Sequence, residues 1–154
     1  MEDFEKLDVS EISDEVLQPL RTLGENLRAS AIPLNLQIMI EIRLSQINGC
    51  ANCVDVHWKD ARALGETEQR LYGLSVWWES PYYSEKERAA FLWAEAVNEG
   101  EVSDEIYAEV AKFYSAGDMV QLAMVVNYIA SWNRLNIAFP KKIIGDYSSE
   151  LTAE

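Results

Sequence analysis

Apolar residues recur along most of the chain at spacings of three and four, and no stretch alternates long enough to read as a strand. The pattern predicts an all-α fold of about six to seven helices. Residues 1–10 are acidic and weakly patterned. Ser13-Asp14-Glu15 then predicts a helix over about 14–30, with Pro19 compatible only with its first turn. Ile32-Pro33 interrupts it, and a mostly apolar run over 34–47, carrying Leu36, Met39, Ile40, Ile42 and Leu44, predicts a buried helix that ends at Asn48-Gly49. A third helix is expected over about 50–64, stopped by Gly65, and a fourth over 68–78, capped by Thr67 and closed by Pro81. Ser84 with Glu87 reads as a capping box for a helix continuing through 89–98, and Ser103-Asp104-Glu105 starts another. Asp118 with Gln121 is expected to open a last helix through 137. Its apolar positions, among them Met119, Leu122, Val126, Ile129 and Trp132, cover more than one face, so it demands either a central position or a self-association surface.

Composition narrows the partners. With 154 residues, 49% of them hydrophobic, the chain can bury one sizeable core, and no linker-like stretch divides 1–154, so a single domain is expected. Acidic side chains outnumber basic ones 26 to 13, giving a net charge of −13, which repels nucleic-acid phosphates and anionic membrane surfaces. The first residues lack the basic and apolar regions of a signal peptide, and no apolar run approaches a membrane span, so a cytoplasmic location is expected. In such a reducing compartment a lone cysteine pair points to catalysis or metal binding more than to a permanent cross-link.

The candidate chemistry sits in eight positions. Cys50 and Cys53 are the only cysteines and His57 the only histidine. At about 3.6 residues per turn, positions 50, 53 and 57 share one helix face. A cysteine at the start of a helix lies at the positive end of the dipole, which favours the thiolate, the species that attacks a peroxide or a disulfide. His57 follows Cys53 by one turn, so its imidazole can take the thiol proton or protonate a leaving oxygen. That geometry assigns Cys53 as the attacking sulfur and Cys50 as the resolving one. A sulfenic acid on Cys53 would condense with Cys50 to a disulfide that an external dithiol donor reduces, and no organic cofactor is required. Two other readings compete: a pair of small buried residues, and a zinc site in which Glu41, Asp60 or a water is the fourth ligand.

The run from Arg43 through Asn48-Gly49-Cys50-Ala51-Asn52-Cys53 to His57 resembles the core of the carboxymuconolactone decarboxylase family, in its AhpD-like alkylhydroperoxidase branch. The similarity continues through Lys59-Asp60-Ala61-Arg62-Ala63-Leu64-Gly65, Ser80-Pro81-Tyr82-Tyr83-Ser84 and Ser131-Trp132-Asn133-Arg134-Leu135-Asn136-Ile137, covering about 15–140. The resemblance implies an all-helical fold assembled as trimers or hexamers. It also implies a thiol peroxidase that acts on a hydroperoxide through the second cysteine, resolves with the first, and is recycled by a dithiol carrier. The family pattern has a relay glutamate twelve residues before the first cysteine, where this chain has Ile38. Glu41, nearly one turn later, is the candidate replacement, set against a surface acid as the simpler expectation. Asn52 stands where some relatives carry a histidine, and it cannot shuttle a proton near neutral pH. The alternatives are a lactone decarboxylase like the family's namesake, which works without a thiol pair, and a non-catalytic helical assembly or binding protein. The aromatic group Trp77, Trp78, Tyr82, Tyr83 and Trp93 is expected to pack, and Trp132-Asn133-Arg134 to be structural.

Overall fold

The computed structural model describes residues 5–152. Among them are seven α-helices and two short 3-10 turns, and no strand, as the apolar spacing predicts. The helices are α1 (Asp14–Arg28), α2 (Leu34–Asn48), α3 (Ala51–Ala63), α4 (Glu68–Gly73), α5 (Glu85–Glu99), α6 (Asp104–Val110) and α7 (Ala116–Ala138). Helix α2 is buried on most sides, with Ile38, Ile40, Ile42 and Leu44 fully buried, and it forms the centre against α3, α5 and α7. Among the described residues no helix is long and apolar enough to cross a membrane.

Polar residues fix how α2 sits. Gln37, fully buried, donates to the carbonyls of Leu27 (2.8 Å) and Ile32 (2.7 Å), which satisfies backbone acceptors freed where α1 ends. On the far end, Asn133 of α7 donates to Ser45 Oγ at 3.0 Å and accepts from Asn48 Nδ2 at 2.9 Å. Asn48 and Asn98 of α5 exchange two further bonds of 3.0 Å. Buried amides cannot go unpaired without a cost of about 1–3 kcal/mol each, so this network sets the register of three helices.

Several local details differ from the sequence expectation. Helix α7 starts at Ala116, because Ser115 is its cap and Asp118 closes the capping box from inside the first turn; Gln121 takes no part. Helix α4 ends at Gly73 and tightens into a 3-10 turn over Leu74–Val76, short of residue 78. Arg88 of α5 donates to the carbonyls of Trp77, Trp78 and Ser80, which draws that backbone out of a helical path. Pro19 is the sixth residue of α1, past its first turn. It leaves the Glu15 carbonyl without its usual amide, and that exposed carbonyl can take water instead. Around the weakly patterned start, Val9–Glu11 forms a 3-10 turn capped by Asp8. The expected aromatic packing holds for Trp77, Tyr83 and Trp93, which are buried, while Trp78 and Tyr82 are exposed.

Helices α1 and α7 meet where Gly24 faces Tyr128. A Cβ at Gly24 would lie 2.7 Å from the Tyr128 hydroxyl and 2.8 Å from its ring carbons, too close for any real contact. Gly24→Ala is therefore expected to lower unfolding stability by about 1–3 kcal/mol in urea titrations. Gly117→Ala, where the nearest atom is Ser115 Oγ at 3.7 Å, is the control and should stabilise by about 0.5 kcal/mol.

Candidate active site

Gly49 adopts a left-handed conformation (φ 76°), which only glycine takes cheaply, and turns the chain sharply from α2 into α3. That turn makes Cys50 the N-cap of α3, with its sulfur accepting from the Cys53 amide at 3.3 Å. The helix start thus supplies both an amide hydrogen bond and its dipole to the sulfur pair. Cys50 and Cys53 are joined by a disulfide, with Cα atoms 5.3 Å apart. Each is only 3% exposed.

One turn on, His57 is buried on the same face of α3. Its Nδ1 lies 3.1 Å from Glu41 Oε2 and 3.7 Å from Asp60 Oδ2. Neither carboxylate is aligned for a hydrogen bond to Nδ1. Glu41 is 1% exposed, which overturns the surface-acid expectation. The reason is visible in α1: Arg28 Nη2 donates to the same Glu41 oxygen at 3.0 Å, giving the buried carboxylate a countercharge. Burial alone would lower the Arg28 pKa, but the Glu41 charge and hydrogen bond outweigh it and raise it. Tyr128, close by on α7, is pushed up by its own burial and by the Glu41 charge.

An open cleft of about 320 Å³ gives access to this group. Cys53 and His57 form its floor, Leu17, Val56, Tyr128 and Trp132 supply apolar wall, and Arg21 and Lys141 are its two cations. A separate hollow of about 270 Å³ touches Cys50 between Gly49, Ile137 and Ile144. Asn52 and Asn136 stand between the two, bonded to each other at 2.9 Å. The structure therefore brings Cys50, Cys53, His57 and Glu41 together. Trp132, expected to be structural, lines the cleft, whereas Asn133 is a fully buried packing residue and Arg134 is exposed. Asp60 and Glu41 both turn towards His57 Nδ1. Among the described residues no group of three or more His, Cys, Asp and Glu side chains is placed to hold a metal ion, so the zinc reading gains no support. Sequence reasoning missed Arg28, Tyr128 and Tyr147. Each reaches the site from an element distant along the chain and carries no local motif.

The helical chain, with a disulfide-bonded cysteine pair at a helix start and, on the same helix face, an imidazole near two carboxylates, has an AhpD-like fold. The protein belongs to the carboxymuconolactone decarboxylase family, whose sequence model matches residues 14–96. It is 40% identical over 131 residues to the uncharacterised protein YdfG of Bacillus subtilis, covering 83% of this chain and 89% of that one. The crystal structure of ATU0492 from Agrobacterium tumefaciens, a protein of unknown function assigned to AhpD-type antioxidant defence, superimposes with a TM-score of 0.82 at 32% identity, covering 88% of this chain and 95% of that one. The debrominase Bmp8, solved with 2,3,4-tribromopyrrole, shares the fold (TM-score 0.76) at 23% identity, over 86% of this chain and 73% of its own.

The Arg28 and Glu41 pair gives a direct test of the buried charge. Arg28→Ala should destabilise the protein by about 3–5 kcal/mol in denaturant, because it strands a carboxylate in the core. Adding Glu41→Gln to that variant should recover part of the loss, as measured by a double-mutant cycle.

Proposed function

We propose that the protein is a thiol-dependent peroxidase that reduces hydroperoxides through Cys53. The observation that carries this reading is the shared cleft: Cys53 and His57 face the same open space, and Cys50 is already bonded to Cys53. In the reduced protein His57, held by Glu41, takes the Cys53 proton. The thiolate attacks the distal peroxide oxygen; the O–O bond breaks, the oxygen stays on Cys53 as sulfenic acid, and His57 returns the proton to the departing alkoxide to give an alcohol. The Cys50 thiol then displaces hydroxide from Cys53, which leaves as water with the Cys50 proton, and the disulfide forms. Two electrons and two protons from a dithiol donor restore both thiols, and the donor leaves as its disulfide.

In this reading Glu41 replaces the carboxylate that the family pattern carries at the position of Ile38. A buried acid against Nδ1 orients the ring so that Nε2 is the working nitrogen, the same division of labour found in other carboxylate–histidine pairs. The cycle suits a reducing compartment such as the cytoplasm. The reading also takes the chain to assemble as a trimer or hexamer; the exposed Val120 and Met124 of α7 support a self-association face. A lactone decarboxylase would use acid–base groups alone and leave the disulfide without a role.

The test is turnover of tert-butyl hydroperoxide with dithiothreitol as electron donor. Wild type should consume peroxide, Cys53→Ser should fall to the uncatalysed rate, and Cys50→Ser should lose the intramolecular disulfide while still oxidising once at Cys53. Activity unaffected by Cys53→Ser would exclude the mechanism. A wild type with no activity would favour the non-catalytic helical assembly.

A further inference from the structure

The segment after α7, residues 139–152, forms no helix, yet it is tied into the active-site helix at several points. Tyr147 Oη donates to Asp60 Oδ1 at 2.7 Å, and Ser149 Oγ donates to the same oxygen at 2.6 Å. Lys59 Nζ, bonded to Asp55 as well, donates to the Gly145 carbonyl at 2.9 Å. Asp60 is buried, and its other oxygen, Oδ2, is the atom 3.7 Å from His57 Nδ1. Tyr147 also lines the cleft in which Cys53 and His57 lie.

These contacts divide the two oxygens of one carboxylate between two tasks. Two hydroxyl donors on Oδ1 restrain the carboxylate from rotating. The remaining oxygen then lies 3.7 Å from the same imidazole nitrogen that Glu41 approaches. We propose that Asp60 is a second carboxylate partner of His57, and that Tyr147 and Ser149 are positioning residues that hold it there. The segment after α7 is on this view part of the active site, outside the region that the family model matches. Burial, with the bond to Asp60, pushes the Tyr147 hydroxyl up to about 12, so it remains a donor throughout the neutral range.

The arrangement has a chemical use. Two carboxylates near Nδ1 favour the proton on that nitrogen and leave Nε2 as the base that takes the Cys53 proton. Removing the hydroxyls frees Asp60 to turn away, and His57 then loses one of its two orienting partners. The role of this device in turnover rests on the peroxidase reading; its effect on the imidazole does not.

His57 is the sole histidine, so its ring nitrogens give an unambiguous signal in 15N-labelled protein. The experiment compares wild type, Tyr147→Phe with Ser149→Ala, Asp60→Asn, and Lys59→Ala. Lys59→Ala loosens the segment at Gly145 without touching Asp60. The hydroxyl-free variant and Asp60→Asn should both move the imidazole 15N resonances away from the Nδ1–H tautomer, and Ser149→Thr, which keeps the hydroxyl, should not. With tert-butyl hydroperoxide, the hydroxyl-free variant should lose about ten-fold in kcat at little change in KM, the scale of a lost hydrogen bond to a charged group. Lys59→Ala should leave the imidazole resonances in place. Unchanged 15N signals in the hydroxyl-free variant and in Asp60→Asn would overturn the proposal, as would an equal shift in Lys59→Ala. A wild type that turns over no peroxide would sink the peroxidase reading, while the NMR comparison would still decide whether Asp60 holds the ring.

Discussion

The Glu41 carboxylate is the constraint around which the site is arranged. It is an acidic side chain on a mostly apolar, buried helix, and such a group is tolerated inside only with a countercharge and hydrogen-bonding partners. Arg28 of α1 supplies the charge and His57 of α3 fills the remaining space at 3.1 Å. Three helices are thereby committed to one point. Ile38, at the family's usual relay position, is itself fully buried, so a carboxylate there would need its own partners. Moving the acid three residues along α2 turns it by about 300° and advances it by about 4.5 Å, which keeps it near the α3 face. The chain thus keeps a buried acid beside the imidazole.

From that anchor the rest of the site follows by helix periodicity. His57 lies against Glu41; Cys53 is one turn earlier, and Cys50 is the cap that begins the same helix. A left-handed glycine at the end of α2 determines where α3 starts, and the amides of that start favour negative sulfur. Reactivity and access are separated: the sulfurs are almost wholly buried, while the cleft reaches Cys53 on one side and a second hollow reaches Cys50 on the other. On the proposed reading, the partly apolar walls of the cleft receive the organic part of a hydroperoxide, whose leaving oxygen needs a proton.

Much of this was legible from residues close together in the chain. The helix count, the buried character of α2, the break at Gly49 and the grouping of Cys50, Cys53 and His57 all come from local spacing, and local spacing is what a sequence displays. The misjudged details lie where tertiary contacts outweigh local preference. Glu41 looked like a surface acid because nothing near it in sequence announces Arg28, thirteen positions away on another helix. The helical path expected to reach residue 78 is lost after the 3-10 turn, where Arg88 takes the carbonyls of Trp77 and Trp78. The hydroxyls on Asp60 come from residues 87 and 89 positions later, in a segment with no periodic pattern to read. Such pairings are set by how the helices pack and become visible only in three dimensions.

The central claim is that the buried pair of sulfurs is a working redox couple. The most direct measurement is mass spectrometry of the fully reduced protein after one equivalent of hydroperoxide, with alkylation of any remaining thiol. The account expects loss of two hydrogens shared between Cys50 and Cys53, with neither residue alkylated. Two freely alkylated cysteines after peroxide treatment, or oxygen added at Cys53 with Cys50 still a free thiol, would contradict it.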